Sequence, residues 1–250
     1  MFRATLSLLL FGCLAAPLAA HEFWIEPHDT TLSTGDTLRP IVKIGTGFEG
    51  ETFPFDARAY RQIIWTTSEG GDLRSDAQSP EKIKFTGLMS GLHILGVEAN
   101  PQTLAHDTVK AFQDYIVEVG LAERIDASDP GLVPGGPIIE RYQRFSKTLV
   151  HFDTRAGADR AIGLRYEWVK QSDGFLLLAD GTPQADFPAF LFCRDAAGDI
   201  APPRPYRTDG QGRITPVIAA AQTCLLNATF VSRQKDRSWL SAWTSLFFQM

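Results

Sequence analysis

The chain has 250 residues, 44% of them hydrophobic, and its 24 basic and 29 acidic side chains leave a formal charge of −5. That composition is sufficient for ordinary globular cores and excludes a disordered chain, while the acidic balance disfavours nucleic acid as a partner. No stretch approaches the ~20 apolar residues of a membrane-spanning helix, so no span is expected once the leader described next is removed.

Residues 1–20, MFRATLSLLLFGCLAAPLAA, place Arg3 before an apolar block from Leu6 to Leu14 and end in Pro17 and the small residues Ala19 and Ala20. This is the layout of a secretory signal peptide, with a block too short to cross a bilayer. Cleavage after Ala20 makes His21 the first residue of a periplasmic protein, and loss of Arg3 moves the formal charge to about −6. The stretch Leu10-Phe11-Gly12-Cys13 also has the outline of a lipoprotein box, but Phe11 fits it poorly and the apolar block before Cys13 is very short, so lipid anchoring is not expected.

From His21 to Ala99 the signals are those of short strands between turns: FWIEP, TLRPIVKIG, AYRQIIWTTS, EKIKFTGL and GLHILGVEA, punctuated by STGD, SEGGD, SDAQSP and MSG. Strands at this spacing predict an antiparallel sandwich. The period then changes. Val109, Phe112, Ile116 and Val119 recur at helical spacing, with Asp107 or Thr108 to cap the start and Gly120 to supply a left-handed C-terminal cap. Residues 126–137, DASDPGLVPGGP, read as a loop, and IIERYQRFSKTL after it reads as a second helix in which Glu140 and Arg144 form an i,i+4 surface pair.

Strands resume at Thr148 with TLVHFDT, IGLRYEWV, FPAFLFC, GRITPVI, TCLLNATFV and SLFFQ, and Asp209-Gly210 and Gly212 supply the turn TDGQGR. The division expected is a signal peptide over 1–20, a β-sandwich ending in a helix over 21–120, a loop and helix linker over 121–147, and a second β-sandwich over 148–250. Cys193 and Cys224, both in apolar runs, are expected to form a disulfide in an oxidising compartment, stabilising by about 3–4 kcal/mol through loop closure; two buried free thiols are the alternative.

Several segments together resemble a family of exported proteins known as the periplasmic component of nickel or cobalt uptake. They are the start HEFWIEP, the helix end FQDYIVEVGL, ERYQRFSKTLV, the turn TDGQGR, and Trp239, Ser241, Ser245, Leu246 and Phe248 near the C-terminus. They stand in the same order across nearly the whole mature chain. The resemblance implies two immunoglobulin-like antiparallel β-sandwich domains with one or two short helices between them, and a role in handling a divalent transition metal. Thr223-Cys224 and RYEWVKQSDG depart from that family's pattern.

A histidine at a free N-terminus carries two donors, the α-amine and imidazole Nδ1, which close a small chelate ring suited to nickel, cobalt or copper. A further imidazole would come from His28, His93, His106 or His151, and His21, His93 and His106 form the expected metal set. Glu22, beside the amine, could add an oxygen. The signatures G-x-S-x-G, GK[ST] and H-E-x-x-H are missing, so a non-enzymatic protein that passes metal to membrane transporter components is expected. A metal-free immunoglobulin-like interaction module at the cell envelope and a copper-dependent oxidative enzyme using the same two-nitrogen chelate are the competing readings.

Overall fold

A computed structural model describes residues 22–29, 31–75, 84–126 and 137–250, with the side chains of 72–75 left aside. The expected signal peptide with Cys13, His21, the start of EKIKFTGL and most of the 126–137 loop lie outside the described residues. The fold is mainly β, 53% strand and 6% helix, with a sandwich-like layering and one α-helix among the described residues.

In chain order the first half contains β1 (Glu22–Pro27), β2 (Pro40–Thr46), β3 (Glu49–Pro54), β4 (Tyr60–Thr67), β5 (Gly70–Ser75), β6 (Gly91–Ala99), β7 (Gln102–His106) and helix α1 (Val109–Glu118). The second half contains β8 (Ile138–Phe152), β9 (Tyr166–Lys170), β10 (Phe175–Ala179), β11 (Thr182–Pro183), β12 (Pro188–Arg194), β13 (Arg204–Arg207), β14 (Arg213–Ile214), β15 (Thr223–Arg233) and β16 (Trp239–Gln249). Helix α1 forms where its 3.6-residue period predicts. The Thr108 hydroxyl caps it by accepting from the Ala111 N–H at 3.0 Å, and Gly120 follows at φ +76°.

The segment expected as a second helix is instead part of β8, a strand of 15 residues. It pairs antiparallel with β6 and β7 along one edge and parallel with β16 along the other. The i,i+4 spacing of Glu140 and Arg144 looked helical, yet a strand also puts residues four apart on one face. Both are buried, and the strand alternation is hidden because Glu140, Gln143, Arg144, Ser146 and Lys147 are buried polar residues. The boundary expected between residues 147 and 148 therefore falls within β8, and strands from both halves share one nine-stranded sheet ordered β13-β12-β15-β16-β8-β6-β4-β5, with β7 also on β8.

Two smaller sheets pack on this central one. Phe145 and Leu149 of β8 meet Trp168, Phe175 and Leu177 of the β9, β10, β11 and β14 sheet. Val150 and Phe152, on the opposite face, meet Phe23, Ile25 and Val42 of the β1-β2-β3 sheet. Strand β1 meets the central sheet with its free backbone edge. The Ser245 hydroxyl donates to the Phe23 carbonyl at 2.6 Å and the Thr148 hydroxyl to the Ile25 carbonyl at 2.7 Å, which satisfies edge acceptors that would otherwise be buried without partners. Side chains leave β1 in both directions. Phe23 and Ile25 enter one core, while Trp24 packs with Phe48, Leu225 and Phe247 in another.

On the other face Lys147 is fully buried. Its ammonium lies 2.8 Å from an Asp159 carboxylate oxygen and 3.4 Å from Glu167, and it donates to the carbonyls of Arg160 at 2.6 Å and Trp168 at 3.0 Å. The two acids are held by backbone donors as well, Asp159 by the N–H groups of Arg160 and Lys170 and Glu167 by those of Ile162 and Gly163. One cation thus pins the 159–168 segment onto the middle of β8. Cys193 and Cys224 form the expected disulfide, between directly paired residues of β12 and β15.

Lys147→Met should leave two carboxylates buried without their cation and destabilise the fold by about 3–5 kcal/mol. Urea denaturation at neutral pH checks this, and an unchanged midpoint would show the ammonium to be dispensable.

Candidate functional site

Of the histidines expected to share a metal, His21 lies outside the described residues, and His93 and His106 are not brought together. His93 on β6 pairs with Val150 and His106 on β7 pairs with Ile138, twelve residues apart along β8, which is about 40 Å of extended strand. His93 is buried between Trp65, with ring centroids 5.1 Å apart, and Phe152, at 4.6 Å, and burial lowers its proton affinity. It is a core imidazole. His28 follows β1 at the end remote from Glu22, exposed and bonded to Asp29 at 3.2 Å. His151 sits half-buried near the His93 end of β8. Among the described residues no group of three or more His, Cys, Asp or Glu is gathered closely enough to hold a metal ion.

His106 is bonded through Nε2 to Glu140 Oε2 at 2.5 Å, both buried. The Ser241 hydroxyl donates to the other oxygen of the same carboxylate. This places Glu140 between the imidazole and the hydroxyl, whereas nucleophile activation needs the imidazole in contact with the hydroxyl. The Tyr115 ring of α1 stacks on His106 with centroids 5.5 Å apart and on Trp243 at 5.9 Å. Burial and the neighbouring Glu140 charge push its phenol well up, so it stays neutral. Arg144, four residues beyond Glu140 on the same face of β8, is buried with its cation over the Tyr142 ring and its Nε without a hydrogen-bond partner. Burial lowers its proton affinity, against the favourable charge effect of Tyr142. Sequence reading named His106 from this cluster but missed its partners, because Glu140 and Arg144 were assigned to a solvated helix face.

The start of β1 heads toward this cluster. Phe23 rests on Ser245, which pairs with Ser146, and Ile25 rests on Thr148, so β1 runs in the same direction as β8 and its first residues approach the level of Arg144. Glu22 is 8% exposed, and its Oε2 has no hydrogen-bond partner. Burial raises its pKa to about 7, helped by repulsion from Glu118 on α1 and opposed by the backbone N–H groups of Glu22 and Gly47. Trp24 and Glu26 continue the same side of the strand. The indole N–H donates to Glu26 Oε1 at 2.7 Å, and Arg194 closes on Glu26 Oε2 at 2.6 Å beneath the Phe48 ring. Glu26 is therefore fully engaged and Glu22 is not.

Two groups make opposite contributions to stability between about pH 4 and pH 7. Glu22 is raised from 4.5 to about 7, so its contribution is present below pH 4.5 and is lost as pH rises through 7. His151 is lowered from 6.5 to about 4 by burial, Arg155 and Lys170, so its contribution is present above pH 6.5 and is lost as pH falls through 4. In denaturant melts across this window, Glu22→Gln should leave a protein that weakens toward acid. His151→Asn should leave one that weakens toward neutrality, and parallel profiles for the two variants would contradict the assignment.

A comparison with family models matches residues 18–232 to a domain of unknown function, DUF4198. No curated protein and no solved structure matches the chain. With that match covering most of its length, the chain belongs to the DUF4198 family of proteins of unknown function.

Proposed function

We propose that this is an exported, non-enzymatic protein that binds a divalent transition-metal ion, nickel, cobalt or copper, at the start of β1 and passes it to a membrane transporter. The observation that carries the reading is the Glu22 carboxylate, buried with one oxygen unpartnered, facing the charge of Glu118, and directly following the residue at which the leader is expected to be cut. Amine and imidazole nitrogens of His21 with carboxylate oxygens of Glu22 and Glu118 would make a mixed nitrogen and oxygen set of the kind that nickel(II), cobalt(II) and copper(II) accept. A cation also removes the electrostatic penalty of placing two carboxylates together. His93 and His106 have no part in this set, the first enclosed by aromatic rings and the second bonded to Glu140. The resemblance to periplasmic metal-uptake components supports the same reading, and the disulfide fits a periplasmic location.

Mass spectrometry of the exported protein should find His21 as the first residue. Calorimetric titration with Ni²⁺, Co²⁺ and Cu²⁺ should then show one site, weakened about 10- to 100-fold in Glu22→Gln and abolished in His21→Ala. A mature chain that starts elsewhere, or affinity indifferent to His21→Ala, would sink the proposal.

A further inference from the structure

The hairpin that joins β2 to β3 turns on Gly47 and Phe48, and both have left-handed backbone, at φ +68° and +73°. Glycine adopts that conformation freely. A bulky aromatic residue does so rarely, and the conformation persists only where the surroundings enforce it. Phe48 is also almost completely buried, although hairpin tips ordinarily stand in solvent.

Its ring is held in a socket built from three strands. Trp24 of β1 meets it edge-on with ring centroids 5.6 Å apart, Phe247 of β16 meets it at 6.2 Å, and the Arg194 guanidinium of β12 lies 4.7 Å from its centre. Glu26 ties two of these walls together, accepting from the Trp24 indole and from Arg194. The walls are thus bonded to one another, and the turn contributes only the ring that fills them.

The same turn crosses the start of β1. Glu22 pairs with Gly45, and Gly45 with Gly50, so the two positions beside Glu22 on its face carry no side chain. A Cβ on Gly45 would lie 1.8 Å from the Glu49 carbonyl oxygen, and one on Gly50 2.6 Å from the Ile44 carbonyl oxygen. Only glycines let the end of the hairpin curl inward there. The curl brings the Gly47 N–H toward the Glu22 carboxylate, whose charge it favours, while Phe48 reaches Trp24 on the same side of the strand.

We infer that the Gly47–Phe48 turn is a strap over the start of β1, latched by Phe48 in its socket, and that a metal ion reaches Glu22 only when the latch is out. The metal half of the inference rests on the site proposed above, and the strap itself does not. Backbone conformation opposes latching and aromatic packing favours it, so the strap opens locally, without unfolding of the central sheet.

Hydrogen exchange of the full mature protein tests the strap, and stopped-flow mixing with Ni²⁺ tests the gate. In the wild type the amides of Gly47 and Glu49 should exchange through an opening insensitive to low urea, while those of Leu95 and Leu226 follow global unfolding. Phe48→Gly relieves the backbone and removes the latch, so it should speed exchange at Gly47 and Glu49 about tenfold and raise the Ni²⁺ association and dissociation rates by a similar factor. Phe48→Leu, which refills the socket, should reverse most of both effects. Wild-type strap amides that exchange only with global unfolding, or a Phe48→Gly variant that exchanges no faster than wild type, would overturn the strap. Faster exchange with unchanged Ni²⁺ rates would overturn the gate. A wild type that binds no Ni²⁺ would remove the metal site and the gate together, with the exchange pattern still deciding the strap. That wild-type pattern decides it equally if a variant fails to fold.

Discussion

The buried ammonium of Lys147 is the constraint around which the molecule is arranged. An uncompensated charge in that position would cost several kcal/mol, so the chain must bring Asp159, Glu167 and two backbone carbonyls to it before the core can close. Meeting that demand fixes the loop after β8 and the start of β9, and with them the four-stranded sheet that covers Phe145 and Leu149. It also turns Asp159 away from solvent, toward Lys147 and the N–H groups of Arg160 and Lys170.

The opposite face of β8 solves a different problem by neutral means. There Ser146, Thr148 and Ser245 face β1, and two of their hydroxyls cap its edge carbonyls. Short hydroxyl side chains let the backbones approach closely, and they fix the position of β1 along β8 as well as its distance from it. That register is what directs the first residues of β1 toward Arg144 and sets Glu22 opposite Glu118. Glu26, only four residues later on the same side of the strand, finds Trp24 and Arg194 and is fully paired. Two glutamates on one short strand thus have different chemistry because of what the rest of the fold places beside each.

Elements governed by local rules were legible in the sequence. The alternation in EFWIEP, the helical period and Thr108 cap of α1, and the disulfide between two cysteines in apolar strands all follow from neighbours in the chain or from simple composition. Strand β8 was not, because its buried polar residues are stabilised by partners from distant segments: Glu98 for Gln143, Asp159 and Glu167 for Lys147, His106 and Ser241 for Glu140. Without sight of those partners, charged residues read as solvent-facing. The segment FLLLA of β10 was also passed over, being too short and uniformly apolar to show a period. The surroundings of His93 were hidden in the same way, since a sequence shows that an imidazole exists but not that Trp65 and Phe152 enclose it.

The parallel pairing of β8 with β16 has a consequence for the order of assembly. Strand β16 is the last of the sixteen strands among the described residues, yet it lies at the middle of the nine-stranded sheet, between β15 and β8. Until it arrives, β8 has only its β6 and β7 edge, β15 has only β12, and the hydroxyl of Ser245 is not available to hold β1. The two parts of the sheet therefore meet only through β16, and contacts of such long sequence separation form slowly. A sheet built this way closes only when β16 takes its place between β15 and β8.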